Sequence, residues 1–134
     1  MITLRSDIMP IRSSQDLVLV RQAVRTWSAE LKFSLVEQTK MVTAASELAR
    51  NTLDYGGGGN VILQMVQDGI RRGLRLSFED QGPGIPDVEL ALRDGYTSGG
   101  GMGLGLGGSK RLVNDFEIVS KVGEGTRVTV TRWK

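Results

Sequence analysis

The stretch GYTSGGGMGLGLGG, from Gly95 to Gly108, carries eight of the chain's eighteen glycines and lies between a proline-bearing turn and a short helical segment. Without a Cβ in the way, successive backbone N–H groups turn inward together and form a concave nest for anionic oxygens. Leu104 and Leu106 alternate with glycines and SKRLV follows, so the run feeds a helix whose positive N-terminal end faces the same anion. The stretch reads as a lid over phosphate. Alone it reads equally as a flexible linker, because a glycine cluster is a weak motif. The sequence on either side decides.

Upstream lies Asp80-Gln81-Gly82-Pro83-Gly84-Ile85-Pro86, a rigid turn cluster entered from the alternating run Leu74, Leu76, Phe78. A carboxylate held at a strand end accepts a hydrogen bond from an exocyclic amine, and Gly82 and Gly84 let a flat ring approach the backbone. The plainer alternative at Asp80 is an Asx-type turn. Before it, Val61, Leu63 and Met65 or Val66 alternate as a strand, and Asp68-Gly69 with Arg71 to Gly73 reads as the turn of an antiparallel hairpin. Downstream of the lid, a helix is expected around Leu106 to Val113. A strand from Phe116 to Val122, the turn Gly123-Glu124-Gly125 and a strand from Arg127 to Trp133 follow, with the Thr126 hydroxyl as the specific polar candidate at that turn.

The N-terminal half supplies two long helices. Ile2 to Ile11 reads as an edge strand bearing Pro10. Ser13-Ser14 then offers an N-cap, and Leu17, Val20, Val24, Trp27 and Leu31 form one apolar face. Ser34 with Glu37 makes a capping box for a helix from Leu35 to Asp54, whose buried stripe is read as Val42, Ala45, Leu48 or Ala49, and Leu53. On another side of that helix Glu47 and Asn51 stack one turn apart, offering a base beside a neutral oxygen ligand suited to Mg²⁺. Read without their neighbours, the two are ordinary surface residues with Arg50 as an incidental ion-pair partner. Helix pairs alternating with antiparallel hairpins give an α+β class for a single domain, 1–134. The architecture expected is a two-layer sandwich with helices on one face of a mixed, mostly antiparallel sheet.

Composition bounds the chemistry. With no cysteine and no histidine, thiolate catalysis, Ser-His-Asp chemistry, phospho-histidine and most transition-metal sites are excluded. A net charge of +2 with scattered basic residues gives no nucleic-acid footprint, and LVLV (Leu17 to Val20) is far too short for a membrane span or signal core. A cytoplasmic location is the expectation.

Taken in order, Glu-x3-Asn on a helix, Asp-x-Gly-x-Gly after a strand, the glycine lid before a helix and Gly-x-Gly-Thr between strands resemble the Bergerat-fold ATPases. That superfamily, also named GHKL, joins gyrase, the Hsp90 chaperone, sensor histidine kinases and MutL proteins. The chain has no room for the extra domains of most of these, and it lacks the sensor kinases' histidine and Phe-rich box. SELARN, EDQGPGIPD, the lid and GEGT look most like the small stand-alone anti-sigma-factor serine kinases. The resemblance implies ATP and Mg²⁺ as cofactors, with Asn51 on the metal and Glu47 as catalytic base. It places Asp80 on the adenine amino group with Gly82 and Gly84 shaping that pocket. Gly101, Gly103, Leu104, Gly105 and Leu106 would lie over the nucleotide, and Thr126 would support the adenine edge. Where sensor kinases carry lysine this chain has Asp54, which leaves open whether Lys110 or Arg111 reaches phosphate. The implied activity is serine/threonine phosphorylation of a STAS-domain protein, with docking on a PP2C-type phosphatase. An anti-sigma factor or a non-catalytic docking module is the alternative.

Overall fold

The fold is described from a computed structural model, over residues 1–92 and 106–134. In chain order the elements are β1 (Ile2–Ile11), α1 (Ser14–Glu30), α2 (Leu35–Asp54), β2 (Gly59–Asp68), β3 (Arg71–Asp80), α3 (Val88–Ala91), α4 (Leu106–Arg111), β4 (Asp115–Lys121) and β5 (Gly125–Trp133). Local chemistry sets the helix starts. Ser13 caps α1 by accepting the Asp16 N–H, and Ser34 and Glu37 bond each other's backbone N–H groups in a complete capping box before α2. Both helix starts are as the sequence predicts.

Among the described residues five strands form one sheet in the order β1-β2-β3-β5-β4, with every pairing there antiparallel. Leu63, Leu76 and Val130 lie abreast on β2, β3 and β5 and are fully buried. Against that face pack Leu17, Val20, Val24 and Trp27 of α1 with Met41, Ala45, Leu48 and Ala49 of α2. The α2 stripe is therefore centred on Met41, Ala45, Leu48 and Thr52, while Val42 and Leu53 sit only partly buried at its margin. The rotation follows from α2 having two neighbours, the sheet and α1, so that small residues such as Ala44 and Ala45 are drawn into the contact.

One expectation is corrected. Arg71 to Gly73 belong to β3 rather than to the hairpin turn, which is the two-residue Gly69-Ile70 between the paired Asp68 and Arg71. The polar run is held in the sheet by Trp133: Gly73 lies beneath its ring, the Arg71 guanidinium stacks 4.1 Å from the ring centre, and its indole N–H donates to Asp115 at 2.8 Å. No periodicity in sequence announces that clamp.

The edge strand β1 is long and exposes Ile2, Leu4 and Ile8, which makes it a template for unwanted pairing. Three features blunt it. Pro10 has no N–H, the Asp7 carboxylate accepts the Ile8 N–H at 2.9 Å, and the register to β2 shifts between Thr3 and Arg5. We predict that Asp7→Ala combined with Pro10→Val increases the self-associated fraction in sedimentation velocity relative to the parent chain. An unchanged size distribution would show that the edge is kept apart by something else.

Candidate functional site

Helix α2, the end of β3 and the start of β5 converge on a cleft lined by Leu48, Asn51, Thr52, Tyr55, Phe78, Asp80, Ile85, Leu106, Thr126 and Val128. It encloses about 340 Å³ of space outside atoms, part of it open to solvent. The walls are aliphatic and aromatic. The polar groups are few: the Asn51 carboxamide, the Asp80 carboxylate and hydroxyls from Thr52, Tyr55 and Thr126. An apolar slot with a few placed polar groups suits a flat, amphipathic ligand such as a nucleobase.

Asp80 is 9% exposed and stands opposite Thr126 in the β3–β5 ladder. Burial pushes its carboxyl above the ordinary aspartate range, against the backbone N–H groups of Gly82 and Thr126, which favour the charged form. The Gly82 N–H donates to Asp80 Oδ1 at 2.9 Å, so the Asx-type turn is real and coexists with the cleft. The space around the carboxylate is set by close approach. A Cβ on Gly56 would overlap the Asp80 carboxyl group, and one on Gly82 would meet the Gly56 backbone at 2.7 Å. Gly84, with φ of 77°, takes a left-handed conformation open to glycine while its Cα faces the Lys121 carbonyl.

The turn from Gly82 to Pro86 is pinned from three sides. Tyr55 Oη donates to the Gly84 carbonyl at 2.7 Å, the Gly123 N–H to the Pro83 carbonyl at 2.8 Å, and the Ile85 N–H to Ser120 Oγ at 2.7 Å. Sequence reading missed Tyr55 and Ser120. Tyr55 follows Asn51 by one helical turn, so helix spacing was the signal available; Ser120 offered none, because its partner Thr126 is met only across a hairpin.

Of the residues singled out in sequence, Asn51, Asp80, Leu106 and Thr126 come together at the cleft, with Gly82 and Gly84 in the adjoining turn. Glu47 lies one turn before Asn51 on the exposed surface of α2 and is not among the lining residues. Arg50 stands 4.0 Å from Asp54, its neighbour one turn on. Lys110 borders a different, polar groove with Arg75, Arg127 and Thr129. Gly101, Gly103, Leu104 and Gly105 fall outside the described residues. Among the described residues no cluster of three or more acidic or metal-ligating side chains exists, and no helix is long and apolar enough to cross a membrane.

The raised Asp80 carboxyl carries a stability consequence. A folded-state pKa above the unfolded value means that ionising Asp80 costs stability as pH rises through its folded pKa. Asp80→Asn keeps the acceptor for the Gly82 N–H and removes the buried charge. Its thermal midpoint should exceed that of the parent at pH 7, with the gain vanishing below about pH 4, where the carboxyl is neutral in both states. A lower midpoint at pH 7 would contradict this account. Gly56→Ala should cost about 1–3 kcal/mol in denaturant unfolding by forcing Asp80 aside.

Comparison with known proteins places this geometry. Residues 36–134 match the family described as histidine kinase-, DNA gyrase B- and HSP90-like ATPase. The chain is 43% identical over 123 residues to the serine/threonine-protein kinase RsbT of Bacillus subtilis (strain 168), with 92% of each chain covered. It is 27% identical over 126 residues to the anti-sigma F factor of Clostridium kluyveri, covering 91% of this chain and 89% of that one. The crystal structure of the RsbU and RsbW domains of Rv1364c from Mycobacterium tuberculosis shares the fold with a TM-score of 0.59 at 18% identity, over 98% of this chain and 32% of that one. On sequence and architecture together, the chain belongs to the histidine kinase-, DNA gyrase B- and HSP90-like ATPases.

Proposed function

We propose that this chain is an ATP- and Mg²⁺-dependent serine/threonine protein kinase of a bacterial partner-switching pathway. Its substrate would be a STAS-domain antagonist or scaffold protein in the cytoplasm, and a PP2C-type phosphatase its docking partner. The observation that carries this reading is the convergence of Asn51, Asp80 and Thr126, distant in sequence, on one apolar cleft in a chain 43% identical to a serine/threonine-protein kinase. The Asp80 carboxylate accepts an amino N–H of the base, while Phe78, Ile85, Leu106 and Val128 take its faces out of water.

The residues present fit Mg²⁺ as a partner of bound nucleotide rather than as a resident ion. Asn51 offers one hard carboxamide oxygen, so the remaining ligands must come from phosphate and water. When bound, the metal supplies neutralisation of phosphate charge. Phosphoryl transfer then asks this chain chiefly for positioning: the acceptor hydroxyl oxygen bonds to the γ-phosphorus, the bond to the β,γ-bridging oxygen breaks, and ADP leaves. Glu47 takes the hydroxyl proton. Its exposure suits the role, because the acceptor belongs to a protein that approaches from outside the cleft. The amides of Gly101, Gly103, Leu104 and Gly105 are assigned to the phosphates and Leu106 to the base.

The similarity to an anti-sigma F factor supports a second reading, in which the chain also binds a sigma factor. Labelled-ATP transfer to STAS-domain proteins from the same source separates the two. Glu47→Ala should lower transfer by about 10²- to 10⁴-fold while nucleotide binding survives, and Asn51→Ala should lose the Mg²⁺-dependent part of binding. ATP binding without transfer to any such protein would move the chain to the sigma-binding reading, and no ATP binding would end both.

A further inference from the structure

Ser120 lies behind the cleft, where it is not among the lining residues, yet its oxygen meets three neighbours. The Ile85 N–H donates to it at 2.7 Å, the Ser120 hydroxyl reaches the Gly125 carbonyl as donor at 3.3 Å, and the Thr126 hydroxyl lies 2.7 Å away, where either oxygen can be the donor. Ser120 and Thr126 are directly opposed in the β4–β5 ladder, and Thr126 is opposed in turn by Asp80 in the β3–β5 ladder. One row across the sheet therefore reads Ser120, Thr126, Asp80.

The proton count along this row is informative. Ser120 has one proton to give, and its lone pair toward the turn is occupied by Ile85. The Thr126 oxygen, at 2.7 Å, is at the ordinary length for a hydroxyl bond; the Gly125 carbonyl, at 3.3 Å, is beyond it. With Ser120 as donor, the Thr126 oxygen is filled on its inner side and its own proton is presented to the cleft. The two neighbouring polar groups are then an acceptor, Asp80, and a donor, Thr126. Adenine offers the matching pair on its Watson–Crick edge, the N6 amino donor beside the N1 acceptor. Guanine offers the opposite pair, O6 beside N1–H, and meets two mismatches.

We propose that Ser120 is a positioning residue that fixes the Thr126 hydroxyl as a donor to the purine N1 and so makes the site select adenine nucleotides; this rests on the reading of the cleft as a nucleotide site. The Ile85 bond is part of the device. It fills one acceptor position of the Ser120 oxygen, so the proton goes to one of the two remaining contacts, of which that to Thr126 is the shorter. Replacing Ser120 frees Thr126 to rotate, and its hydroxyl then serves a donor or an acceptor equally.

The test compares ADP with 1-deaza-ADP, which lacks the N1 acceptor, by calorimetric or fluorescence titration. The parent chain should bind ADP about three- to tenfold more tightly, the worth of one hydrogen bond. In Ser120→Ala that ratio should fall toward one, whereas a merely structural loss would weaken both nucleotides equally and leave the ratio intact. Ser120→Thr, which restores the hydroxyl, should restore the ratio, and Ser120→Cys serves in place of the alanine variant if that does not fold. A ratio unchanged in the alanine or cysteine variant, or a ratio of one in the parent, overturns the proposal while the nucleotide site stands. A parent that binds neither nucleotide removes the site reading and this inference together.

Discussion

The constraint on which the site depends is the absence of side-chain volume where the end of α2 meets the end of β3. Gly56, just after the helix, lies against the Asp80 carboxyl group and the Gly82 backbone, with no space for a methyl group on either glycine. That approach lets a buried carboxylate sit at a strand end with its backbone partners in place. It also draws the last turn of α2, with Asn51 and Tyr55, against the turn that follows β3. The cleft exists because three backbone segments come closer than ordinary residues allow.

Around that junction the sheet supplies rigidity and the hydrogen bonds supply aim. Fully buried Leu63, Leu76 and Val130 anchor the strands against α1 and α2, so the ends of β3 and β5 are fixed in relation to α2. The turn from Gly82 to Pro86 has little core of its own, and single bonds hold it from Tyr55 at the end of α2, Gly123 in the β4–β5 turn and Ser120 on β4. An arrangement of this kind keeps a recognition loop in place without filling the space a ligand needs.

Much of this was legible in the chain. The capping box at Ser34 and Glu37 and the apolar face of α1 depend on residues within a few positions of each other, and local spacing states them completely. The motif order singled out Asn51, Asp80 and Thr126, which the fold brings to one cleft because each is tied to a strand end or helix turn that the pattern fixes. The polar run Arg71 to Gly73 misled because its reason for being a strand lies sixty residues away in Trp133. Ser120 was invisible for a related cause: a lone serine in an alternating strand has no local signature, and its bonds to Ile85 and Thr126 arise only once the hairpin and the turn have met. Glu47, the base that the family resemblance implies, stands on the exposed surface of α2 one turn before Asn51 and outside the lining residues.

Strand order also sets a timetable for assembly. β5 follows β4 in the chain, yet it lies between β3 and β4, so β4 has no place in the sheet until β5 has arrived. Thr126 and Val128, which close one side of the cleft, travel with it. While the chain is growing, β1, β2 and β3 can pair with α1 and α2 over them, but the β5 edge of β3 stays open and the cleft lacks a wall. The cleft therefore cannot close on a product that lacks β5, and the open flank of β3 is the surface a nascent chain must keep from foreign strands until β5 is made.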